Sequence, residues 1–233
     1  MTTTAPDPIA PRLLEAILPH VPFDGWSPTA FDAACRDADV EKQAARAACP
    51  RGATDLAVRY HHDGDARMVD AYGADDTDAL RIRDKITLLI RLRLEAADDK
   101  EVVRRGTALF SLPHLVPEGA RLVWGTADAM WTALDDPSED INWYTKRATL
   151  SAVYGSVVLY WLGDDSLDHQ ATFDFIERRI EDVMRFEGAK AQVRNNRLLR
   201  PLTGPMEHLA SLVRAPARGL APDLPGSWAS PRN

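Results

Sequence analysis

Two adjacent histidines, His61 and His62, are the residues whose types most readily suggest chemistry. A helical metal site needs ligands about one turn apart, as in an HExxH motif, whereas neighbouring residues on a helix point in different directions. The two cysteines, Cys35 and Cys49, are far apart and form no CxxC pair. The sequence therefore predicts no metal site and no disulfide framework.

Paired carboxylates are the second class of candidate, because two neighbouring acids can divide general acid and general base roles. Three of the acidic pairs in the sequence are Asp98-Asp99, Asp135-Asp136 and Asp164-Asp165. All fall at predicted helix starts or turns, where capping and the helix dipole account for them. The chain also has no Walker loop, dinucleotide-binding glycine motif or GxSxG elbow. We predict no catalytic residue and expect that the protein is not an enzyme.

The element that organises the chain is a long helix whose stretch Ala148–Leu162 carries no charge. Its fifteen residues are too few to span a bilayer, which takes about 20. A helix that is apolar on nearly every face is buried on nearly every face, so a second copy of the chain or a bound apolar ligand should cover it. Gly155-Ser156 within it is interpreted as a close-packing point.

A second long helix follows, with a predicted cap at Asp165, Ser166 and Asp168 and an apolar stripe facing the core. Upstream, Ala79–Ala97 is predicted as a helix whose arginines, including Arg93, form a solvated face. The 233 residues are 45% hydrophobic and 27% charged, which suits one or two globular domains. Helical periodicity throughout predicts an all-α fold.

Three short helices at the N-terminus, Ile9–Leu18, Thr29–Asp37 and Val40–Cys49, resemble a helix-turn-helix module, in particular the start of TetR-type regulators. Ser27 and Pro28 are the expected N-cap and first residue of the second helix. Residues 28–49 contain three basic and four acidic residues, and a net-negative module provides few phosphate contacts. We expect no nucleic-acid binding, although a TetR-like regulator with an apolar ligand remains the alternative function.

Near the C-terminus, Leu202–Arg214 is predicted as an amphipathic helix of about 20 Å, too short to span a membrane but suited to its interface. The alternative is a helix that closes the core of its own domain. The residues expected to contact a membrane are Arg200, Leu202, Met206, Leu209, Leu212, Val213 and Arg214. Residues 216–233 are predicted to be a disordered tail. Met1–Pro11 shows no secretion or import signal, which predicts a cytoplasmic protein from a bacterial source.

The central part of the chain resembles the Coq nine family of coenzyme Q (ubiquinone) biosynthesis accessory proteins. The resemblance extends from about Leu13 to Val193. Its motifs are DINWYTKR (140–147) with Tyr154, the turn at 164–166, FIERRI (175–180), the turn at 112–114 and ADAMW (127–131). The chain departs from the family pattern at Leu115 and within 135–140, both in predicted turns.

The resemblance implies a TetR-like helical bundle of about ten helices that forms a homodimer and does not act on DNA. It implies an apolar cavity for an isoprenoid or quinone-precursor lipid, and no other cofactor. It also implies presentation of that precursor to the diiron demethoxyubiquinone hydroxylase, with the protein peripheral on the inner face of the cell membrane. Neither the tail length nor the type of hydroxylase follows from the sequence.

The implied sites fall on named residues of this chain. The residues expected to bind the hydroxylase are Asp128, Met130, Trp131, Asp140, Trp143, Tyr144 and Arg147. The residues expected to bind lipid are Leu89, Leu150, Val153, Tyr154 and Val157. We accordingly divide the chain into a helix-turn-helix-like module (1–52), a lipid-binding and dimerisation domain (53–200), the membrane-contacting helix (201–215) and the tail (216–233).

Overall fold

A computed structural model describes residues 9–139 and 141–195 of the chain, with side chains as far as residue 185. Within these ranges all regular structure is helical, with ten α-helices and one 3₁₀ turn, which confirms the predicted all-α class. The helices are α1 (Ile9–Ile17), α2 (Val21–Asp24), α3 (Pro28–Asp37), α4 (Lys42–Ala48), α5 (Ala53–Ala74), α6 (Ile82–Glu95), α7 (Lys100–Phe110), α8 (Val116–Ala133), α9 (Ile141–Leu162) and α10 (Gln170–Asn195). The predicted amphipathic helix at 202–214 and the tail lie outside the described residues.

The helix boundaries follow local sequence signals in most places. Ser27 accepts a hydrogen bond from the Ala30 amide (3.2 Å) and Pro28 is the first residue of α3, as predicted. The sequence did not predict α2, which has only four residues and contains a proline. The predicted start of α6 at Ala79 is wrong, because residues 77–80 form a turn and the helix begins at Ile82.

Two hydrophobic cores divide the described chain. The first joins α1–α4 to the beginning of α5, with Leu13, Phe31 and Leu56 fully or almost fully buried. The second joins the rest of α5 to α6, α8, α9 and α10, with Met68 and Met130 inaccessible to solvent. The 22 residues of α5 run about 33 Å at ~1.5 Å per residue, so this helix contributes to both cores.

The organising helix α9 is less enclosed than the sequence predicts. One side, including Val157 and Trp161, is buried in the second core. On another side, Leu159 is 64% exposed and Tyr160 is 38% exposed. The prediction that α9 is buried on nearly every face is therefore wrong for the single chain, although Tyr160 stacks on Phe175 of α10 (ring centroids 4.3 Å apart).

The turn between α9 and α10 is held by a buried carboxylate. Asp164 accepts hydrogen bonds from the Ser166 amide (2.9 Å), the Thr172 amide (2.9 Å) and the Thr172 hydroxyl (2.5 Å). The hydrogen bonds donated by Thr172 and Ser166 hold the pKa of Asp164 well below its usual value, because they stabilise the ionised form. The Ser166 hydroxyl accepts from the Ala171 amide (3.0 Å).

Two of the three residues predicted to cap α10 do not do so. The structure uses Ser166 as predicted, but Asp164 takes the role expected of Asp165 and Asp168. The reason is the 3₁₀ turn at Leu167–His169, where Asp168 has a φ of 50° and lies outside the helical conformation.

We expect Asp164→Asn to flatten the acid limb of the stability profile. A carboxylate with a lowered folded pKa stabilises the fold above its unfolded pKa of about 4, and this contribution is lost as the pH falls below that value. Urea unfolding at several pH values between 7 and 2 should show a smaller loss of unfolding free energy in Asp164→Asn than in the wild type. The exposed neighbour provides the control: Asp165→Asn should follow the wild-type profile. Equal slopes for the wild type and Asp164→Asn would contradict this account.

Candidate functional site

A cavity of about 780 Å³ lies where the two cores meet. Residues of the first core (Trp26, Ala57 and Val102) and of the second (Tyr154) both line it. The rest of the wall comes mainly from α5, α7, α8 and α9 and includes Tyr60, His61, Phe110, Val116, Val123, Trp124, Ser151, Gly155, Val158 and Leu159. The wall is mostly apolar with a few polar groups, and the volume falls within the ~300–1,000 Å³ typical of small-molecule sites.

Helices α8 and α9 form one long wall and run antiparallel. The ion pair between Arg147 Nε and Asp128 Oδ1 (2.5 Å) joins the start of α9 to the end of α8. Because the helices are antiparallel, each step of about one turn (four residues) away from this pair matches one residue of α9 with one of α8. These steps place Ser151 opposite Trp124, Gly155 opposite Ala120, and Leu159 opposite Val116. All six of these line the cavity. Because Leu159 and Val116 are 64% and 49% exposed, the cavity reaches the surface at their level, which we call the mouth.

Gly155 contributes open space to the wall. A Cβ placed on Gly155 would meet no heavy atom within 4 Å. Its interpretation as a close-packing point is therefore wrong, since the missing side chain leaves room in the cavity instead of admitting a neighbouring helix.

At the end away from the mouth, a buried polar network connects α5, α6 and α8. Arg93 Nε donates to Asp65 Oδ1 (2.7 Å) and an Arg93 amino group donates to the His61 carbonyl (3.1 Å). The Thr126 hydroxyl lies 2.9 Å from Asp65 Oδ1 and 2.9 Å from His61 Nε2. Arg93 is only 6% exposed, so the prediction that it belongs to a solvated face is wrong.

The arginine fits because Gly64 has no side chain. A Cβ on Gly64 would lie 2.7 Å from an Arg93 amino nitrogen and 2.8 Å from its guanidinium carbon, closer than real Cβ contacts allow. Helical Gly64 therefore admits the guanidinium against the α5 backbone, where it reaches Asp65.

His61 is neutral at physiological pH. Burial lowers its pKa to about 4; the nearby Asp65 carboxylate opposes this shift, and Arg93 and His62 add to it. Its Nε2 lies 3.2 Å from the Leu122 carbonyl, which can only accept, so Nε2 carries the hydrogen and Nδ1 is an acceptor. With Asp65 and Arg93 paired, the network has no net charge.

Three further polar groups on the wall are unsatisfied. The Tyr60 hydroxyl, Trp124 Nε1 and the Ser151 hydroxyl are buried and have no hydrogen-bond partner within the described chain. Trp124 and Ser151 belong to the facing positions of α8 and α9, next to the polar network. Neither was singled out from the sequence, although Ser151, Tyr154, Gly155 and Val158 share one helical face.

The residues predicted to bind lipid fall in three places. Tyr154 lines the large cavity. Leu150 and Val153 line a second cavity of about 260 Å³ between α6, α8, α9 and α10. Leu89 and Val157 are fully buried in the second core and line neither cavity.

Most of the residues predicted to bind a partner form one cluster at the start of α9. Arg147 is buried; it pairs with Asp128 and Asp136, and its guanidinium lies 3.9 Å from the centre of the Trp143 ring. The Trp143 ring contacts Tyr144 (centroids 4.8 Å apart) and Trp124 (6.1 Å). We call Trp143, Tyr144, Arg147 and Asp128 the aromatic cluster.

The remaining predicted partner residues lie around this cluster or outside it. Trp131 is half-buried beneath Lys146, whose Nζ is 5.1 Å from the ring centre and 2.6 Å from Asp136 Oδ1. Met130 is completely buried in the second core. Asp140 lies outside the described residues.

The Asp136 carboxylate pairs with Lys146 and Arg147 next to the aromatic cluster. In the sequence it was noted only as part of an acidic pair. Burial favours its neutral form, but hydrogen bonds from Lys146 and Ser138 outweigh burial and lower its pKa. Asp136 therefore stays ionised between Lys146 and Arg147.

Among the described residues, no group of three or more His, Cys, Asp or Glu side chains is arranged to hold a metal ion. Nor is any described helix both long and apolar enough to cross a membrane.

Comparisons with known proteins agree with this architecture. A family model described as COQ9 matches residues 116–187, which include α8, the aromatic cluster and α9. The chain is 26% identical over 196 residues to the human "Ubiquinone biosynthesis protein COQ9, mitochondrial" and 28% identical over 195 residues to its counterpart from Bos taurus. These matches confirm the similarity to COQ9 proteins of ubiquinone biosynthesis that the sequence motifs indicated. Each alignment includes 79% of this chain but 60% of the relative's length.

The fold of the chain is similar to that of a TetR regulator. It superimposes on the crystal structure of the TetR transcriptional regulator from Nitrosomonas europaea with a TM-score of 0.62, over 75% of this chain and 97% of the other. The two sequences are 18% identical, so this similarity concerns the fold alone. The TetR-like bundle expected from the sequence is confirmed.

We expect Arg93→Ala to destabilise the protein by about 3–5 kcal/mol, because removal of one partner leaves the buried Asp65 carboxylate unpaired. Chemical unfolding followed by circular dichroism measures this change. Arg67→Ala provides a matched control on α5, since Arg67 pairs with Asp98 at the surface, and should cost less than about 1 kcal/mol. Similar losses in the two variants would show that the buried network does not have this structural role.

Proposed function

We propose that this protein is an accessory protein of ubiquinone biosynthesis that holds an isoprenoid quinone precursor and presents it to the demethoxyubiquinone hydroxylase at a membrane. The observation that carries the proposal is the apolar cavity of about 780 Å³ with its exposed mouth. The similarity to COQ9 ubiquinone biosynthesis proteins supports the pathway. In this proposal the protein carries the precursor and does not transform it.

The cavity wall suits a hydrocarbon tail. Its apolar side chains include Phe110, Val123 and Val158, and burial of each methylene group contributes about 0.8 kcal/mol. A five-carbon isoprene unit is therefore worth roughly 4 kcal/mol, and two or three units offset the cost of association. Binding of this strength needs no ion pair with the tail.

The aromatic cluster supports the presentation step. Trp124 lines the cavity and its ring also contacts Trp143, so the wall of the cavity continues into the cluster. Tryptophan, tyrosine and arginine are the residues most enriched at protein–protein hot spots. We infer that the hydroxylase binds over this cluster, beside the lipid that it receives.

The alternative function is that of a TetR-like regulator with an apolar ligand. The contacts of the basic residues in the N-terminal module argue against it. Lys42 pairs with Asp32 (2.8 Å) and Arg46 lies over the Phe31 ring (4.9 Å). These two cations already interact within the module, whose net charge is negative, so few contacts remain for DNA phosphates. Tight, salt-sensitive binding to a specific operator would favour the regulator.

Two parts of the proposal concern assembly. The exposed apolar side chains on α9 and α10, Tyr160 and the 53%-exposed Met184, support a homodimer, which native mass spectrometry would measure. The helix at 202–214, outside the described residues, is proposed to bind the membrane surface. Its test is salt-dependent binding to anionic vesicles that disappears in a Leu209→Asp, Val213→Asp variant.

We expect Gly155→Leu to weaken lipid binding without destabilising the fold, because the new side chain occupies cavity space. Gly125→Leu is the matched control, since a Cβ at Gly125 also meets no atom within 4 Å but Gly125 does not line the cavity. Both changes gain up to about 1 kcal/mol of helix propensity. Binding of a farnesyl-tailed benzoquinone, followed by quenching of tryptophan fluorescence, should weaken at least tenfold only in Gly155→Leu.

Equal affinity of Gly155→Leu and the wild type would place the lipid outside this cavity. Lipid extraction from both purified proteins, analysed by mass spectrometry, gives an independent measurement of the same occupancy.

We expect Tyr144→Asp to reduce affinity for the organism's demethoxyubiquinone hydroxylase at least tenfold. The aspartate removes the apolar contact of the tyrosine ring with the partner, and its carboxylate favours water over a buried interface. Calorimetric titration of the two purified proteins measures this loss. Thr145→Asp, at an exposed position next in sequence, is the control and should bind like the wild type. Unchanged binding by Tyr144→Asp would exclude the aromatic cluster as the interface, while a large drop in its melting temperature would assign Tyr144 to the core.

A further inference from the structure

Several polar groups of the cavity are concentrated at one level. His61 contacts α8 at Leu122 and Thr126, and Trp124 lies between these two positions in sequence. Ser151 comes opposite Trp124 in the α8–α9 register set by the Arg147–Asp128 pair. The mouth at Val116 and Leu159 lies about two turns away, or ~10 Å along the helices. The cavity therefore has a polar inner end, whereas Thr107 and Ser111, which also line it, already donate to backbone carbonyls.

This inner end offers hydrogen bonds that the protein itself does not use. Trp124 Nε1 is a donor, and the Ser151 hydroxyl is a donor and an acceptor; both are buried and have no partner in the described structure. His61 Nδ1 is an acceptor for which no described residue provides a donor. Buried polar groups without partners cost stability, so their occurrence together in one cavity indicates a ligand that satisfies them.

The same end is electrically neutral. Arg93 and Asp65 neutralise each other, and His61 carries no charge because its burial disfavours the protonated ring. The other ionisable groups near this end are His62, which is exposed on α5, and Tyr60 and Tyr154, which line the cavity and stay neutral because burial raises their pKa values. A carboxylate or phosphate here would be buried without a counterion of its own, and such burial is strongly unfavourable.

We propose that the inner end of the cavity is a headgroup subsite for the hydroxyl of an uncharged phenolic lipid, which donates to His61 Nδ1 and accepts from Trp124 Nε1 or Ser151 Oγ. The tail then extends towards Val116 and Leu159. This inference rests on the proposed lipid-binding function and adds to it the class of headgroup, the direction of insertion and three recognition residues. It excludes fatty acids and prenyl phosphates as preferred ligands.

Three probes with one tail test the headgroup directly: 2-geranylphenol, its methyl ether 2-geranylanisole, and geranylbenzene. The phenol can donate and accept, the ether can only accept, and the hydrocarbon can do neither. Isothermal titration of the wild type should give the tightest binding for the phenol and the weakest for geranylbenzene, with each step worth roughly 3- to 10-fold, as for one hydrogen bond. Geranyl phosphate should bind more weakly than the phenol.

The protein variants separate recognition from structure. Ser151→Ala and Trp124→Phe remove groups that have no partner in the described structure, so both should keep or raise the melting temperature. Both should also reduce the preference for the ether over geranylbenzene. A residue with a purely structural role would lose stability and affinity together. His61→Phe should abolish the preference for the phenol over the ether. Because His61 also contacts Thr126, the measure for this variant is the ratio of its affinities for the two probes and not either affinity alone.

The outcomes distinguish this inference from the proposed function. Equal binding of all three probes by the wild type would overturn the headgroup subsite and leave the lipid cavity standing. Tighter binding of geranyl phosphate than of the phenol would also overturn the subsite. Absence of binding by every probe would refute the lipid-binding function and the subsite with it.

Discussion

Arg93 is buried only because Asp65 is buried beside it, and much of the remaining structure depends on this pair. The guanidinium lies against the α5 backbone at Gly64, bonds the His61 carbonyl, and fixes Asp65 so that it can accept from Thr126 of α8. Three helices are thereby held at one level by charge-assisted and neutral hydrogen bonds. An apolar core could pack α5, α6 and α8 at several registers, but this network specifies one. The same network forms the inner end of the cavity, so the group that aligns the helices also determines the polarity of the site.

Different parts of helix α9 contact three different environments. Its start carries the aromatic cluster, its middle lines the cavity with Ser151, Tyr154 and Gly155, and its buried side completes the second core. These roles explain a sequence that is apolar over fifteen residues without being a membrane span. Leu159 at the mouth and Tyr160, which stacks on Phe175, remain accessible to solvent in the single chain.

The sequence was sufficient for the fold class and most helices, because helical periodicity and caps such as Ser27 act locally. It failed where a position depends on distant residues. Arg93 has the spacing of a surface arginine, and its partner Asp65 is on another helix, so its burial is not visible in the pattern. Of the five lipid candidates, only Tyr154 lines the large cavity. A small residue such as Gly155 can admit a neighbour or leave a void, and only the three-dimensional arrangement distinguishes these. The family resemblance identified the aromatic cluster, but not its connection to the cavity through Trp124.

The position of the cavity between the two cores has a consequence for cooperativity. Its wall takes Trp26 and Val102 from one core and Tyr154 from the other, while α5 is the main continuous element shared by both. An empty cavity removes packing from this boundary, so each core can open with little effect on the other. A lipid bound there, as proposed, would contact both cores at once and couple their unfolding, and would thereby protect backbone amides in the N-terminal module from hydrogen exchange. Ligand binding would therefore change the stability of residues far from the lipid, in a module that resembles a DNA-binding domain.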